Sequence, residues 1–244
     1  MTDHDAAAIV GIEPAAEADL LLVAVLRELV HAAREPAEDL VISAAGDEIA
    51  MAMAALVPEA MARQRGIGIP EAVTLATLRD IGRKHRLYGA ETVVPWLVGI
   101  LRGDVIQVGR LQVERRAGAH GHALHIPESG ALSPALVDDS LHRAAAITGA
   151  KTFSCESWLL DPRIGSAIPA SNIAGFAARF CILDPGAASA EASAAVAKFV
   201  FRRSLSEVRD PAVVVPRSSL ERLVASTLRG GEEWTSPLGV LTTP

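Results

Sequence analysis

Features that would assign a protein class directly are scarce in this sequence. Its 244 residues include two cysteines, Cys155 and Cys181, too few for a disulfide framework. Aromatic residues make up 4% of the chain. The longest apolar run, residues 20–26, ends at Arg27 and Glu28, well short of the roughly 20 apolar residues that a membrane-spanning helix needs. The sequence therefore excludes a disulfide-stapled scaffold and predicts no membrane partner.

An excess of basic charge is also missing. Lys and Arg number 23 against 29 Asp and Glu, which gives a net charge of −6. A nucleic-acid surface requires clustered basic residues, so we expect no nucleic-acid partner. The acidic start, Met1–Asp5, lacks the positive segment of a secretory signal, so we expect a cytoplasmic protein. With 50% hydrophobic residues, a chain of this length buries a sizeable core.

The first hundred residues carry apolar side chains at helical spacing. Four helices are predicted there: from Pro14 to before Pro36, over residues 49–66, from Pro70, and from Glu91 with Pro95 in its first turns. After Gly103 the apolar period falls toward 2, which is typical of strands. We therefore predict a helical N-terminal domain over residues 1–103 and a second domain over residues 104–244.

The second domain alternates between strand and helix patterns. The apolar parity changes at Gly109, which indicates a bulge or a turn between two strands. Further strands are predicted near residues 123–126, 152–157, 176–183, 196–201 and 234, and helices from Ser133 and near residues 162–168 and 219–228. Residues 187–197 are rich in small side chains and fit a loop or a short helix. The fold class is α+β, with a helical N-terminal region followed by a mixed β-sheet flanked by helices.

A series of short segments occurs in an order typical of one family. The segments are residues 77–82 (TLRDIG), 109–112 (GRLQ), 124–127 (LHIP), 139–141 (DSL), 155–162 (CESWLLDP), 171–173 (SNI), 179–180 (RF), 215–220 (VPRSSL) and 230–234 (GGEEW). This order resembles bacterial GNAT-like acyltransferases with a helical N-acyltransferase N-terminal domain and a GNAT-like C-terminal domain. The chain departs from the family pattern at residues 144–147 (AAAI), where larger aromatic side chains are expected, and at residues 177–178 (AA), where alanines replace bulkier polar side chains.

The resemblance implies an enzyme that uses acetyl-CoA or another acyl-CoA as co-substrate. The acyl group, expected to be acetyl, would pass to a small-molecule acceptor, expected to be an amine, without a metal. Such a reaction needs backbone N–H groups for the pyrophosphate, which a loop entering a helix supplies. By comparison with GNAT architecture, we predict this coenzyme A loop at Ser129, Gly130, Ala131, Leu132 and Ser133. An ordinary strand-to-helix turn is the alternative.

A second glycine-containing segment, residues 63–68 (RQRGIG), fits the R-x-x-G-x-G pattern associated with acyl-CoA binding. It follows a helical stripe rather than a strand. We therefore interpret its glycines as a helix C-terminus and linker before Pro70.

Candidate catalytic residues lie at the ends of two predicted strands. Because histidine side chains exchange protons near neutral pH, His125 is a candidate general base for an ammonium substrate, and a buried structural histidine is the alternative. Glu156 is a second candidate base, and Ser157 is a candidate donor to the departing thiolate. Cys155 and Trp158 are candidate substrate contacts, with packing in the core as the alternative.

Other roles are weighed against these. Asn172 is a candidate substrate contact or simply a turn residue. His120, His122 and His125 share one turn and strand, but no cysteine or carboxylate cluster accompanies them, so we predict no metal site. One rival function is a non-catalytic GNAT-like module that binds acyl-CoA or a partner protein. A second rival is an enzyme with Cys155 as covalent nucleophile and His125 as its base.

Overall fold

The computed structural model describes residues 3–13, 18–37 and 39–242. Contacts within the chain divide it into two compact units, Met1–Arg116 and Ala117–Pro244. The domain boundary predicted after residue 103 stays a prediction. Among the described residues, no helix is both long enough and apolar enough to cross a lipid bilayer.

The first unit consists mainly of helices. These are α1 (Asp3–Val10), α2 (Leu20–His31), α3 (Gly46–Ala55), α4 (Val57–Gly66), α5 (Glu71–Tyr88) and α6 (Val94–Arg102), with a 3-10 turn at Ala90–Thr92. Strands β1 (Val105–Val108) and β2 (Leu111–Gly118) pair antiparallel. Gly109, with φ of 59°, lies in the connection, which confirms the predicted turn between two strands.

Two helix predictions need correction. The helix expected over residues 49–66 is two helices, because Leu56 ends α3 and Pro58 occupies the first turn of α4. A proline there lacks the N–H that a continuous helix would use. Helix α1 was not predicted, and the predicted start at Pro14 lies outside the described residues. Helix α4 ends at Gly66 and Gly68 has φ of 81°, so the RQRGIG segment is a helix C-terminus, as interpreted.

A buried arginine holds the end of α2 in place. The Nη1 atom of Arg102 donates to the carbonyl oxygens of Leu29, Ala32 and Arg34 at 3.1, 2.8 and 3.1 Å. Its Nε atom donates to the Asp104 carboxylate at 2.5 Å. Carbonyl groups at a helix C-terminus have no partner within the helix, so a cation stabilises them. Arg102 thereby joins α2 and α6 to the start of β1.

A second buried charge joins α5 to the β1–β2 hairpin. Asp80 accepts hydrogen bonds from Gln112 Nε2 at 2.6 Å and from Trp96 Nε1 at 3.4 Å, and it forms an ion pair with Arg83. Asp80 and Gln112 both belong to segments that carry the family resemblance. Their contact shows that these two segments serve the packing of the first unit.

The second unit is a four-stranded mixed sheet with helices. Its elements are β3 (Gly121–His125), α7 (Pro134–Thr148), β4 (Thr152–Glu156), α8 (Pro162–Ala167), α9 (Asn172–Ala177), β5 (Cys181–Asp184), α10 (Ala190–Phe201), α11 (Leu205–Arg209), α12 (Ser219–Arg229) and β6 (Leu238–Thr242), with a 3-10 turn at Trp158–Leu160. The strand order is β3-β4-β6-β5. β3 runs parallel to β4, and the other pairs are antiparallel. These elements confirm the α+β class.

Three strand predictions in this unit need correction. Residues 196–201 belong to α10, whose N-terminus is capped by Ser189 Oγ accepting from Ala192 N at 3.0 Å. The strand expected from residue 176 begins at Cys181, because Ser171 caps a short helix before it. The last strand starts at Leu238, while Trp234 makes one isolated bridge with Ser189.

The approach of β3 to β4 depends on a glycine. Gly121 has φ of 100°, and a Cβ atom there would lie 2.3 Å from the carbonyl oxygen of Thr152. We expect Gly121→Ala to lower the free energy of unfolding by about 1–3 kcal/mol, since both backbone and contact become strained. Urea denaturation followed by circular dichroism measures this.

Gly165→Ala is the matched control, because a Cβ at this position in α8 meets nothing within 4 Å. It should raise stability by roughly 0.5–1 kcal/mol through reduced backbone entropy. Equal effects of the two changes would contradict the account of Gly121.

Candidate active site

The predicted catalytic residues lie at the carboxyl ends of β3 and β4. The register pairs His122 with Phe153 and Ala123 with Ser154. Continued for two residues, this register places His125 beside Glu156. Because side chains alternate along a strand, the two side chains project from the same face of the sheet. The chain leaves the sheet at this edge after each of the two strands, and parallel sheets bind ligands at the carboxyl ends of their strands.

His125 and Glu156 differ in exposure. His125 is half-buried at the end of β3, and Glu156 is exposed at the end of β4. Neighbouring strands are about 4.8 Å apart, so the two side chains can act on one bound group. An imidazole beside a carboxylate suits proton removal from an ammonium group.

Ser157 begins the turn that follows β4. Its Oγ atom accepts from Leu159 N at 3.2 Å, and its own N–H donates to Pro237 O at 3.1 Å. These bonds fix the hydroxyl oxygen, while a serine hydroxyl still has one proton to donate. Trp158, the next residue, is half-buried and meets the Trp234 ring edge-on, at 6.4 Å between centroids.

A buried carboxylate holds this turn against the chain before β6. Asp161 has a side chain that is 0% exposed. It accepts from Arg163 Nε and Nη2 at 2.9 and 2.7 Å and from Thr235 N and Oγ1 at 3.2 and 2.9 Å. Burial alone would raise the pKa of Asp161, but these hydrogen bonds outweigh it and hold that pKa below its ordinary value. Arg163 also lies 4.6 Å from the Trp234 ring centroid.

The sequence reasoning did not find this cluster. Asp161 also caps α8, accepting from Arg163 N at 3.0 Å. The further contact with Thr235 spans 74 residues of sequence, and no local pattern signals a contact of that kind.

The predicted coenzyme A loop, Ser129–Ser133, follows β3 at the same edge. Ser129 N donates to Pro127 O at 2.8 Å, and Gly130 adopts φ of 80°. Leu132 is buried, whereas Ala131 is exposed. Ser133 occupies the N-cap position of α7 as predicted, but its side chain makes no capping hydrogen bond. The structure describes the loop, and its role in binding coenzyme A stays a prediction.

Cys155 is 1% exposed. Burial, and then the charge of Glu156, raises the pKa of its thiol to about 12. The thiolate is the nucleophilic form of cysteine, so this environment opposes the covalent alternative. Cys155 shares its face with Phe153 and lies on the face of β4 opposite Glu156.

The remaining sequence candidates lie elsewhere. Asn172 is the exposed first residue of α9, and its role in substrate binding stays a prediction. Arg179, from the segment 179–180 that contributes to the resemblance, forms an ion pair with Asp138 near the start of α7. In the part of the chain that the structure describes, no three His, Cys, Asp or Glu side chains converge as metal ligands.

Comparison with family models covers nearly the whole chain. Residues 1–103 match the N-acyltransferase N-terminal domain, and residues 88–241 match the GNAT-like C-terminal domain. No curated protein sequence matches the chain.

Three solved structures of acyltransferases are similar to this chain. One, in complex with CoA and 10C-teicoplanin, is 28% identical with a TM-score of 0.74, covering 91% of this chain and 76% of that one. Another, with decanoyl-CoA and teicoplanin, is 28% identical with a TM-score of 0.72 and the same coverages, 91% and 76%. A tryptophan-to-alanine variant with octanoyl-CoA is 26% identical with a TM-score of 0.75, covering 99% and 84%. The similarity confirms the predicted GNAT-like form of the fold.

The two cysteines should differ in reactivity. Cys155 is buried and Cys181 is exposed, so we expect one thiol per native chain to react with Ellman's reagent at pH 8. Cys181→Ser should abolish that signal, and unfolding in guanidinium should restore one reactive thiol. Rapid reaction of native Cys181→Ser protein would contradict the burial of Cys155.

Asp161→Asn tests the buried carboxylate. At pH 7 it should lower the free energy of unfolding by about 2–4 kcal/mol, since hydrogen bonds to a buried charge are lost. The pKa of Asp161 is lower in the folded protein than in the unfolded chain, where it is about 3.9. The stabilisation by the Asp161 carboxylate is therefore complete above that unfolded value and disappears as the pH falls through the folded pKa. The difference between variant and parent should therefore narrow on acidification. Asp139→Asn, in an exposed pair with Arg143, should change stability little at either pH.

Proposed function

Because this chain belongs to the GNAT-like acyltransferase family and is an acyl-CoA-dependent acyltransferase, we propose that its acceptor is the amine of a small molecule, attacked directly within a ternary complex. The observation that carries this proposal is the level placement of His125 and Glu156 at the ends of parallel strands. An amine acceptor must lose a proton as it attacks, and these two side chains are suited to take it.

The length of the transferred acyl group is a separate part of the proposal. The sequence led us to expect acetyl, and that expectation remains part of the proposal to be tested. Of the similar acyltransferases, one holds octanoyl-CoA, one holds decanoyl-CoA with teicoplanin, and one holds CoA with 10C-teicoplanin. These complexes support a small-molecule acceptor and favour a longer acyl chain as the competing donor.

In the proposed reaction, His125 accepts the proton of the substrate ammonium group, with Glu156 stabilising the imidazolium that forms. The neutral amine attacks the thioester carbonyl, so a C–N bond forms and the C–S bond breaks. The second proton that the nitrogen loses ends on the departing sulfur, which gives the amide and the free thiol of coenzyme A. Ser157 Oγ–H donates a hydrogen bond to the departing thiolate sulfur. Holding both reactants in one site supplies a large part of the rate enhancement.

The remaining candidate residues serve binding. Backbone N–H groups of Ser129–Ser133 are proposed to hold the coenzyme A diphosphate at the start of α7, where Pro134 has no N–H to offer. Trp158 and Asn172 are the proposed acceptor contacts. Cys155, being buried, contributes packing beneath the reacting groups. We also propose a cytoplasmic location, where both free cysteines stay reduced.

The proposed activity is tested by thiol release from acetyl-, octanoyl- and decanoyl-CoA with a panel of small amines and matched alcohols. We expect release to require an amine and the acylated amine to accumulate in equal amount. Release without any amine would indicate hydrolysis and contradict the proposed acceptor. The order of kcat/KM among the three donors decides the acyl chain length.

His125→Asn tests the general base. We expect folding and coenzyme A affinity to be unchanged and kcat to fall by about 10²–10⁴. The defect should shrink as pH rises, because more of the amine is already neutral in solution. A fall that is equal at every pH would indicate that His125 orients the substrate, and a fall in thermal stability alone would indicate a structural role.

Ser157→Ala is the matched comparison. The variant lacks the hydrogen bond to the departing thiolate and keeps the proton acceptor for the amine, so raising the pH should not restore kcat. Because Ser157 also caps the turn at Leu159, stability should fall by about 1 kcal/mol.

A further inference from the structure

The part of the second unit formed by α11, α12 and the segment between them is rich in arginine. Residues 199–229 contain six arginines and three carboxylates, in a chain whose net charge is −6. Each of the three carboxylates accepts from a backbone N–H group at the start of a helix or a turn; they are Glu207, Asp210 and Glu221. The arginines leave this region with an excess of positive charge that the chain as a whole does not have.

The segment between α11 and α12 presents two valines to solvent. Val213 and Val215 are 52% and 74% exposed, whereas Val214 between them is 8% exposed and belongs to the core of the unit. Arg229 Nη2 donates to Val214 O at 2.6 Å, which holds the segment from beneath. A segment fixed in this way loses little conformational entropy when a partner binds to it.

Arg209 and Arg217 flank the two valines along the chain, and both are exposed. Within the described part of the chain, neither guanidinium forms an ion pair. Arg222 lies beside Arg217, because its Nη1 atom donates to Arg217 O at 3.1 Å. We call the surface made by Arg209, Val213, Val215, Arg217 and Arg222 the basic surface.

The composition of the basic surface favours an acidic protein as its partner. Guanidinium groups bind carboxylates through planar pairs of hydrogen bonds, and arginine is enriched in protein interfaces. Binding to a lipid surface requires larger apolar side chains such as Trp, Phe or Leu next to the cations. Valines provide too little apolar area for that purpose.

The basic surface and the candidate active site are built on one core cluster. Val214, Val224 and Leu228 belong to the cluster against which Trp158 packs. A partner bound to the basic surface is therefore held by the same unit as the candidate site and does not occupy that site.

We infer that the basic surface docks an acidic carrier protein that holds the acyl group as a thioester on a phosphopantetheine arm. This inference rests on the proposed function, since the arm presents the same thioester as acyl-CoA. The amine attacks the carrier-bound carbonyl, a C–N bond forms and the C–S bond breaks. The second proton from nitrogen ends on sulfur, so the carrier leaves with a free thiol. Charge complementarity between the surfaces brings the carrier to the enzyme and orients it.

Transfer from octanoyl-loaded acyl carrier protein, compared with transfer from octanoyl-CoA, tests the inference. We expect both thioesters to acylate the same amine. The double variant Arg209→Glu/Arg217→Glu should lower kcat/KM for the carrier-bound donor roughly tenfold or more at low salt and less at high salt, while kcat/KM for octanoyl-CoA stays within about twofold.

A second double variant, Val213→Ser/Val215→Ser, tests the apolar part of the basic surface. It should also lower kcat/KM for the carrier-bound donor, but by a factor that changes little with salt, because it leaves the charges in place. Acyl carrier protein that lacks the arm should inhibit transfer from the loaded carrier, and it should inhibit the Arg209→Glu/Arg217→Glu variant more weakly than the parent.

Arg65→Glu/Arg79→Glu is the matched control, because it reverses two exposed charges on helices of the first unit. Its kcat/KM should equal that of the parent for both donors. The melting temperature of the Arg209→Glu/Arg217→Glu variant should also equal that of the parent, since the change breaks no ion pair.

Octanoyl-CoA turnover without any turnover of the loaded carrier would overturn the inference and leave the proposed function intact. Equal use of the loaded carrier by the parent and by Arg209→Glu/Arg217→Glu would overturn it as well, as would an equal loss in the control. If neither thioester acylated an amine, the proposed function would fail together with this inference. Loss of binding to anionic phosphatidylserine vesicles in Arg209→Glu/Arg217→Glu, with carrier turnover unchanged, would assign the basic surface to lipid instead.

Discussion

The strands β3 and β4 run in the same direction side by side, and the arrangement of the candidate site depends on this pairing. Parallel strands end at one edge of a sheet, so the segments that follow them start close together. His125 and Glu156 become level there, although 30 residues of sequence separate them. Gly121 permits the pairing, because any larger residue would meet the carbonyl oxygen of Thr152.

Buried charges fix the irregular segments in each unit. In the first unit, Arg102 holds the carbonyl groups at the end of α2, and Asp80 joins α5 to the hairpin. In the second unit, Asp161 joins the turn after β4 to the chain before β6. Each of these groups is surrounded by hydrogen-bond partners, which is the condition for keeping a charge away from water. Helices and strands are thus specified locally, while their connections depend on a few ionic contacts.

The sequence predicted the helices and turns that local residue patterns specify. Helical stripes, the glycine turn at Gly109 and the helix start at Ser133 marked elements that the structure contains. The strand predicted over residues 196–201 was wrong, because alanines and valines there fit a strand or a helix equally. Capping by Ser189 and packing on Trp234 determine that this segment is the helix α10. The sequence pattern also placed His125 and Glu156 at strand ends, and their catalytic roles stay predictions. The contact of Asp161 with Thr235 has no local signal in the sequence, because the two residues are 74 positions apart.

The burial of Cys155 bears on the fidelity of acyl transfer. Thioesters exchange readily with thiolates, and a reactive cysteine close to the bound donor would capture the acyl chain and leave the enzyme acylated on itself. With its pKa raised to about 12, the Cys155 thiol stays protonated throughout the physiological range. The thiol one residue away from Glu156 is thereby kept unreactive, which would protect the acyl chain of a donor bound at the proposed site.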